Sequence, residues 1–459
     1  MRKTKIIATL GPATNNYEII KRLVLEGTNG FRLNFSHGSH EEKADLIEKI
    51  RKIEEEEHIF IPIIADLQGP TIRLGEFQSF KVNEGDTLRL IKAVSTDKKG
   101  YIPIPLEEFF KIITLNDVVL LDDGRVILKV FRISEDEVLC NVLQGGEVRR
   151  NTTVAIQGKE FSLPPLSEKD LNDLEFALNH DVDIIFQSFV RDKSDIIELR
   201  RRIREFGKDS IRIYAKIETR SGVQNIDRIL DEADGILIAR GDLGTYFPLE
   251  EIPSLEALLA RKALEYGKPV VLATQLLETM IYNPMPTRAE VVDIYNGVLH
   301  GIDALMLSGE TAIGQYPILA IRWLRRVIER AEKEVKAARI NGINETAYEK
   351  FAKGIIHLAE SLNAKILAYT KKGATALRLA RYRPNVPVYV ATERKIVARQ
   401  LNILWGIKPI IAIIDLSKDP IKQLINAYKE KNIIKKGDIA VITVGLREGT
   451  TDLAHVEIV

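Results

Sequence analysis

A short apolar run of strand length returns eight times in the first two-thirds of the chain, and a longer stretch of helical periodicity follows each one. The runs lie at 5–10, 31–35, 60–66, 182–187, 211–217, 235–239, 268–273 and 302–307, nearly continuous in hydrophobicity rather than alternating. Such runs belong to strands buried on both faces of a parallel sheet. The helical patterns between them fall at about 15–27, 39–57, 167–180, 192–207, 222–232, 254–267, 287–300 and 316–337. Ser167-Glu168-Lys169-Asp170 carries the spacing of a capping box, which marks one helix start from sequence alone. Eight strands and eight helices in strict order predict an α/β chain built on a (β/α)8 TIM barrel.

One interval breaks the rhythm. Between Asp66 and Ser167 there is no long helical period; instead come Gly/Asp turns and short alternating runs, such as Val118–Leu121, then Asp122-Asp123-Gly124, then Val126–Val130. Asp-Gly between two such runs signals a hairpin. The spacing predicts an inserted all-β lid domain, a small β-barrel over 70–163, emerging from the third strand–helix loop. The catalytic barrel then comprises 1–69 and 164–337. From 338 to 459 the alternation restarts as a smaller open α/β domain with a possible effector site. The run Glu54-Glu55-Glu56-Glu57 reads as a solvated helix face.

With 459 residues the chain is long enough for about three domains. It carries 66 basic and 65 acidic residues, a formal charge of +1, which argues against nucleic acid as a partner. No apolar run has the length of a membrane span, and Met1-Arg2-Lys3-Thr4 leads into the first strand without a signal-peptide pattern, so a cytoplasmic protein is expected. A single cysteine, Cys140, excludes an internal disulfide framework and any cysteine-rich metal site. The 29% charged content, evenly balanced, fits a heat-adapted chain laced with surface ion pairs.

Barrel enzymes place their chemistry where the strands end at their carboxyl termini. Here those ends read Arg32, Asn34, Ser36 and His37; Asp66, Gln68 and Arg73; Lys216 and Glu218; Arg240-Gly241-Asp242-Leu243-Gly244; Thr274 and Gln275; and Ser308, Gly309 and Glu310. Taken singly each has a plain reading. Lys216 and Glu218 share one strand face and could simply pair; the Gly-rich segment could be a turn, Ser308-Gly309-Glu310-Thr311 a helix cap, and His37 a packed surface imidazole. Concurrence at six strand ends favours chemistry. Glu218 and Asp242 form an open oxygen site for Mg2+. Arg32 and Lys216 supply fixed positive charge, and the Gly241 and Asp242 amides suit a carboxylate. Such a set stabilises a transferring phosphoryl group and an enolate. There is no GxxxxGK followed by Ser or Thr, so a P-loop is excluded.

The same residues resemble those of the pyruvate kinase family. The resemblance rests on Thr4–Ala13, Arg32-Leu33-Asn34-Phe35-Ser36-His37-Gly38, Gly69-Pro70-Thr71-Ile72-Arg73 and Leu163–Asp170. It continues through Lys216-Ile217-Glu218, Ala239–Gly244, Ala273-Thr274-Gln275 and Met306–Ala312, in family order. It implies a phosphotransferase that moves the phosphoryl group of phosphoenolpyruvate to ADP, giving pyruvate and ATP in the last step of glycolysis. By similarity Glu218 and Asp242 hold Mg2+, with Mn2+ an alternative, and Arg32 contacts the phosphate. Lys216 stabilises the phosphoryl group and enolate, while Gly241, Asp242 and Thr274 hold the carboxylate. A water relay near Thr274 and Ser308 protonates the enolate. Asn34, His37 and Arg73 contact the nucleotide, the inserted domain closes over it, and the chain forms a homotetramer.

Three departures from the family pattern carry expectations of their own. K+-requiring members have Thr-Lys-Gly-Pro-Glu after the aspartate that matches Asp66; this chain has Leu67-Gln68-Gly69-Pro70-Thr71. Asn34, Ser36, Asp66 and the Leu67 carbonyl form a candidate monovalent-cation site, yet Leu67, Gln68 and Thr71 predict weak or absent K+ activation. A nucleotide-contacting lysine of the lid aligns with Thr152, so either Arg149 or Arg150 substitutes or the lid grips ADP less. The effector loop of sugar-bisphosphate-regulated members reads here Thr370-Lys371-Lys372-Gly373-Ala374-Thr375-Ala376, open both to a phosphate site and to a capped helix. Two rivals remain: a Mg2+-dependent lyase working through a pyruvate enolate, and a catalytically silent metabolite-sensing scaffold.

Overall fold

The computed structural model describes residues 2–122, 124–334, 339–343, 345–445 and 449–459. Eight strands close into a parallel barrel: Lys5–Leu10 (β1), Gly30–Asn34 (β2), Ile63–Asp66 (β3), Ile184–Gln187 (β4), Arg212–Ile217 (β5), Gly235–Ala239 (β6), Val270–Ala273 (β7) and Ala304–Leu307 (β8). Each pairs with its sequence neighbours, and β8 returns to β1 through Lys5↔Ala304 to Ala8↔Leu307. The (β/α)8 expectation holds. Its physical reason is that both faces of every strand are covered. Ile7, Ile64, Phe186, Tyr214, Leu237, Val271 and Met306 pack inside the barrel. Their neighbours Ile6, Ile63, Ile185, Ile213, Ile236, Leu272 and Leu305 pack outward against the helices. Successive residues on a strand face opposite ways, so this parity also decides which strand-end residues point into the mouth.

Capping boxes start three of the outer helices: Ser39 with Glu42, Ser167 with Asp170, and Thr287 with Glu290. The stretch at 222–232 is two helices, Arg220–Gln224 and Ile226–Glu232, broken at Asn225. The last barrel helix is described as Pro317–Glu334; the final residues expected of it, and the boundary at 337/338, lie outside the described residues, as does Asp123 of the expected hairpin turn.

Between β3 and β4 the chain builds a six-stranded sheet in the order 154–156, 118–121, 126–133, 137–144, 87–92 and 101–104, and a two-stranded ribbon of 80–82 with 146–148. These share their own core, from Ile72 to Ile156. The segment is not purely β, because Glu107–Ile112 is a helix whose Phe109 plugs that core. Two extended segments tie it to the barrel and bond to each other: the Leu74 N–H donates to the Thr152 carbonyl at 2.9 Å and the Val154 N–H to the Ile72 carbonyl at 3.0 Å.

The C-terminal sheet runs 407–411, 388–392, 365–369, 439–444 and 453–458, the last strand antiparallel. It docks on the amino-terminal rim of the barrel, opposite the mouth. Arg383 donates to Asp303 at 2.6 Å and the Gly406 N–H to the Lys3 carbonyl at 2.9 Å. The glutamate run corrects the sequence reading here. Glu54 is only 7% exposed and is gripped by Arg399 of the C-terminal domain at 2.8 Å, with Arg51 at 3.0 Å. Glu56 and Glu57 do face solvent and share Lys21. Helical period predicts which face a residue lies on, but not that a second domain will cover it.

Candidate active site

Strand parity assembles the mouth. Ile7, Ile64, Phe186, Tyr214 and Met306 point inward, and two residues later on the same faces come Thr9, Asp66, Ser188, Lys216 and Ser308. Phe31 and Leu33 face outward, so Arg32 between them faces in.

Asp66, 1% exposed, is the hub. One of its oxygens accepts from the Arg32 Nε at 2.6 Å, and the other lies 3.3 Å from the Lys216 Nζ. Arg32 is held from a second side by the Thr9 hydroxyl at 3.1 Å. Lys216 also reaches the Glu218 Oε1 at 2.9 Å and donates to the Ser188 hydroxyl at 2.7 Å. Burial pulls the Lys216 ammonium toward neutrality, but Asp66, Glu218 and Asp242 more than offset it and hold its pKa above the ordinary lysine value. Burial likewise works against the Asp66 carboxylate, and Lys216 with Arg32 overcomes it, leaving that pKa lowered. Lys216 and Asp66 are therefore both charged at neutral pH.

Glu218 is fully buried; its Oε2 accepts the Phe189 N–H at 2.8 Å, while among the described residues its Oε1 makes no hydrogen bond and has the Lys216 ammonium 2.9 Å away. An oxygen so placed fits a cation ligand. No group of three or more His, Cys, Asp or Glu side chains forms a metal cluster among the described residues. Glu218 and Asp242 would hold an ion only together with substrate oxygens and water, the arrangement Mg2+ favours.

At the end of β6 the chain turns at once into the helix Arg240–Tyr246, so the expected glycine-rich turn is a helical first turn. The Gly241 amide donates to the Thr274 hydroxyl at 2.9 Å. Thr274 and Gln275 both lie in the left-handed region, at φ 70° and 54°, uncommon for residues with side chains and a mark of local strain. Arg240 points away from the mouth; it donates to the Thr274 carbonyl at 2.8 Å and pairs with Asp293 at 2.6 Å. Ser308 does not cap its short helix through its side chain; its N–H donates to Glu310 at 2.8 Å, and Glu310 also accepts the Leu277 amide. Glu310 thus braces the β7 and β8 ends.

The remaining sequence candidates lie around this hub and on the loops beyond it. Asn34 accepts the Ser36 amide at 3.1 Å, and the Leu67 carbonyl accepts the Ser188 hydroxyl at 2.7 Å. The Asn34, Asp66 and Leu67 oxygens of the monovalent-cation set are thus engaged with other groups of the chain, and Thr71 accepts from Gln68 at 3.2 Å. His37 lies exposed in the turn after β2. Arg73 sits on the strap into the inserted domain and donates to the Asn151 carbonyl at 2.8 Å. Arg149 and Arg150 pair with Asp122 at 2.6 Å and Glu76 at 3.0 Å, carboxylates of their own domain. A cleft of about 100 Å³ between that domain and the mouth is lined by Thr71, Val154, Phe161, Phe189, Asp242 and Tyr246. At the effector loop Gly373, at φ 96°, turns the chain into the helix Ala374–Arg381, beside a pocket of about 340 Å³. Ser188 and Phe189 were absent from the sequence candidates. Parity applied to β4, from Phe186 to Ser188, is the signal that finds the first.

A closed parallel barrel with clustered charges at its carboxyl mouth and an inserted domain beside them defines a barrel enzyme. Comparison with known proteins makes the class specific. The model described as the pyruvate kinase barrel domain matches residues 1–321, and that of the pyruvate kinase alpha/beta domain matches 349–457. A pyruvate kinase from Aeropyrum pernix is 39% identical over 89% of this chain and 88% of its own. Pyruvate kinase 2 from Synechocystis is 36% identical over 100% and 79%. The crystal structure of pyruvate kinase from Pyrobaculum aerophilum superposes with a TM-score of 0.90 at 31% identity, covering 100% of this chain and 99% of that one. The chain belongs to the pyruvate kinase family, whose members are phosphotransferases.

Proposed function

We propose that the chain transfers the phosphoryl group of phosphoenolpyruvate to ADP, yielding pyruvate and ATP as the closing step of glycolysis. The observation that carries this reading is the Lys216 ammonium, held charged 2.9 Å from Glu218 and 3.3 Å from Asp66. A lysine whose pKa is raised by its carboxylate neighbours is poorly suited to act as a base and well suited to stabilise negative charge. Arg32, fixed by Asp66 and Thr9, presents a second charge to the phosphate without having to reorganise, which is what makes such groups effective.

Mg2+, or Mn2+ in its place, would be held by Glu218 and Asp242 and would neutralise charge on the transferring oxygens. The substrate carboxylate takes the Gly241 and Asp242 amides, exchanging with the Thr274 hydroxyl that now accepts from Gly241. Thr274 and Ser308 border the face where water delivers a proton to the enolate. Asn34, His37 and Arg73 meet the nucleotide phosphates as the inserted domain, over 70–163, closes on the cleft and excludes water. Family members generally use K+ as well; here the candidate set Asn34, Ser36, Asp66 and Leu67 binds it weakly or not at all. No described helix is long and apolar enough to cross a membrane, and the reading extends to a cytoplasmic homotetramer. A lactate-dehydrogenase-coupled assay tests the activity: pyruvate should appear only with phosphoenolpyruvate, ADP and Mg2+ together. Consumption of phosphoenolpyruvate without ADP would favour the lyase.

A further inference from the structure

We propose that the turn Ser188–Phe189, at the end of β4, is a positioning element that sets both members of the Lys216–Glu218 pair. The proposal rests on the catalytic reading of that pair and names what holds it in place.

Ser188 is 3% exposed and makes two short bonds. Its hydroxyl donates to the Leu67 carbonyl at 2.7 Å and accepts from the Lys216 Nζ at 2.7 Å. An ammonium can only donate, and the hydroxyl proton has the Leu67 carbonyl as its near acceptor and the Asp66 Oδ1 at 3.4 Å as a second, so a hydroxyl lone pair faces Lys216 and the polarity of the contact is fixed. The need for such a contact follows from the lysine's flexibility. Its other neighbours are two carboxylates, Asp66 and Glu218, on which a long unbranched side chain could settle in more than one way. The hydroxyl adds a neutral third point that selects one.

Phe189 supplies the other half. Its N–H donates to the Glu218 Oε2 at 2.8 Å, which leaves Oε1 turned toward Lys216. The amide reaches that position because Phe189 adopts φ +54°, a conformation uncommon for a bulky residue and sustained only when the surroundings enforce it. Gly69 forms part of that enforcement. It lies at φ +75°, its own N–H donates to Asp170 at 2.9 Å, and a Cβ built on it would stand 2.7 Å from the Ser188 Cβ and 2.9 Å from the Phe189 ring. The β3 and β4 ends therefore interlock, and the interlock passes to β5 through one hydroxyl and one amide.

The test is a kinetic cycle on the full chain with Ser188→Ala, Lys216→Met and both together. A hydrogen bond to a charged group implies a loss of roughly 10- to 100-fold in kcat for S188A, with KM for phosphoenolpyruvate changed far less. Combined with K216M, S188A should cost no further rate, because it acts through the lysine. Wild-type kcat in S188A overturns the proposal. So does the same loss in both backgrounds, which would mean that Ser188 supports the fold rather than the ammonium. A silent K216M overturns the reading of Lys216 itself and removes the basis of the proposal; it is a separate, distinguishable result.

Discussion

Replacing Lys216 with methionine keeps most of the side-chain length and removes the charge together with its hydrogen bond to Ser188. In the structure that charge sits 2.9 Å from Glu218 and 3.3 Å from Asp66, on a side chain 12% exposed. Deleting one preorganised charge partner typically costs about 10²–10³ in kcat, or about 2.7–4 kcal/mol of transition-state stabilisation. Affinity for phosphoenolpyruvate should fall much less, since the charge on the moving phosphoryl group and enolate oxygen is largest in the transition state. The substitution also has a folding cost. Asp66 keeps Arg32 at 2.6 Å, but in the metal-free protein Glu218 is left buried with the Phe189 amide and, among the described residues, no side-chain cation in contact. Breaking a buried pair from one side costs about 3–5 kcal/mol, enough to lower the melting temperature by several degrees. Adding Glu218→Gln should recover much of that stability by removing the uncompensated charge, and it should recover no activity. Coupled assays at saturating Mg2+ and thermal scans on K216M and K216M/E218Q separate the two effects. A kcat within a few-fold of wild type in K216M, or activity returning with stability in the double variant, would refute the catalytic role.

Glu218→Gln alone should raise the Mg2+ concentration needed for half-maximal rate and lower kcat together; an unchanged Mg2+ titration would exclude it as a ligand. Exchange of K+ for tetramethylammonium should leave the rate within a few-fold, and a many-fold loss would contradict the assignment built on Leu67, Gln68 and Thr71. The buried Lys5 donates to the Ile407 carbonyl of the C-terminal domain at 2.6 Å, and burial, then Arg2 and Lys408, lower its pKa to about 7. The unfolded chain therefore binds the extra proton from about pH 7 to about 10.5, so this group makes the fold more stable as pH rises across that window. Lys5→Met should abolish that slope, gaining on wild type most near neutral pH; a melting difference constant with pH would contradict this. Shared-ion networks such as Glu26 with Arg322 and Arg325, and Asp234 with Arg200 and Arg212, predict a melting midpoint above the ordinary mesophile range. A thermal scan inside that range would contradict it.

The barrel was legible because its strands are buried on both faces and so written as unbroken apolar runs, with turns and caps marking each helix. Lys216 and Glu218 were legible for a related reason: a polar residue two places beyond Tyr214, on the inward face, has nowhere to point but the mouth. Ser188 obeys the same rule and went unread because a serine after Gln187 carries no chemical signal of its own. The helix Glu107–Ile112 was hidden by its shortness, six residues being less than two turns. The burial of Glu54 was hidden by distance, since its partner Arg399 lies 345 residues along the chain. The left-handed backbone at Thr274, Gln275 and Phe189 has no sequence signature, because each residue type ordinarily avoids that region and is held there by tertiary contacts.

Phosphorus NMR of the purified chain with phosphoenolpyruvate, ADP and Mg2+ tests the central claim most directly. The account predicts that the phosphoenolpyruvate signal is replaced, one for one, by the γ-phosphate of ATP, with pyruvate formed in equal amount and no transfer when ADP is omitted. Phosphorus appearing instead as inorganic phosphate, or phosphoenolpyruvate consumed in the absence of ADP, would contradict it.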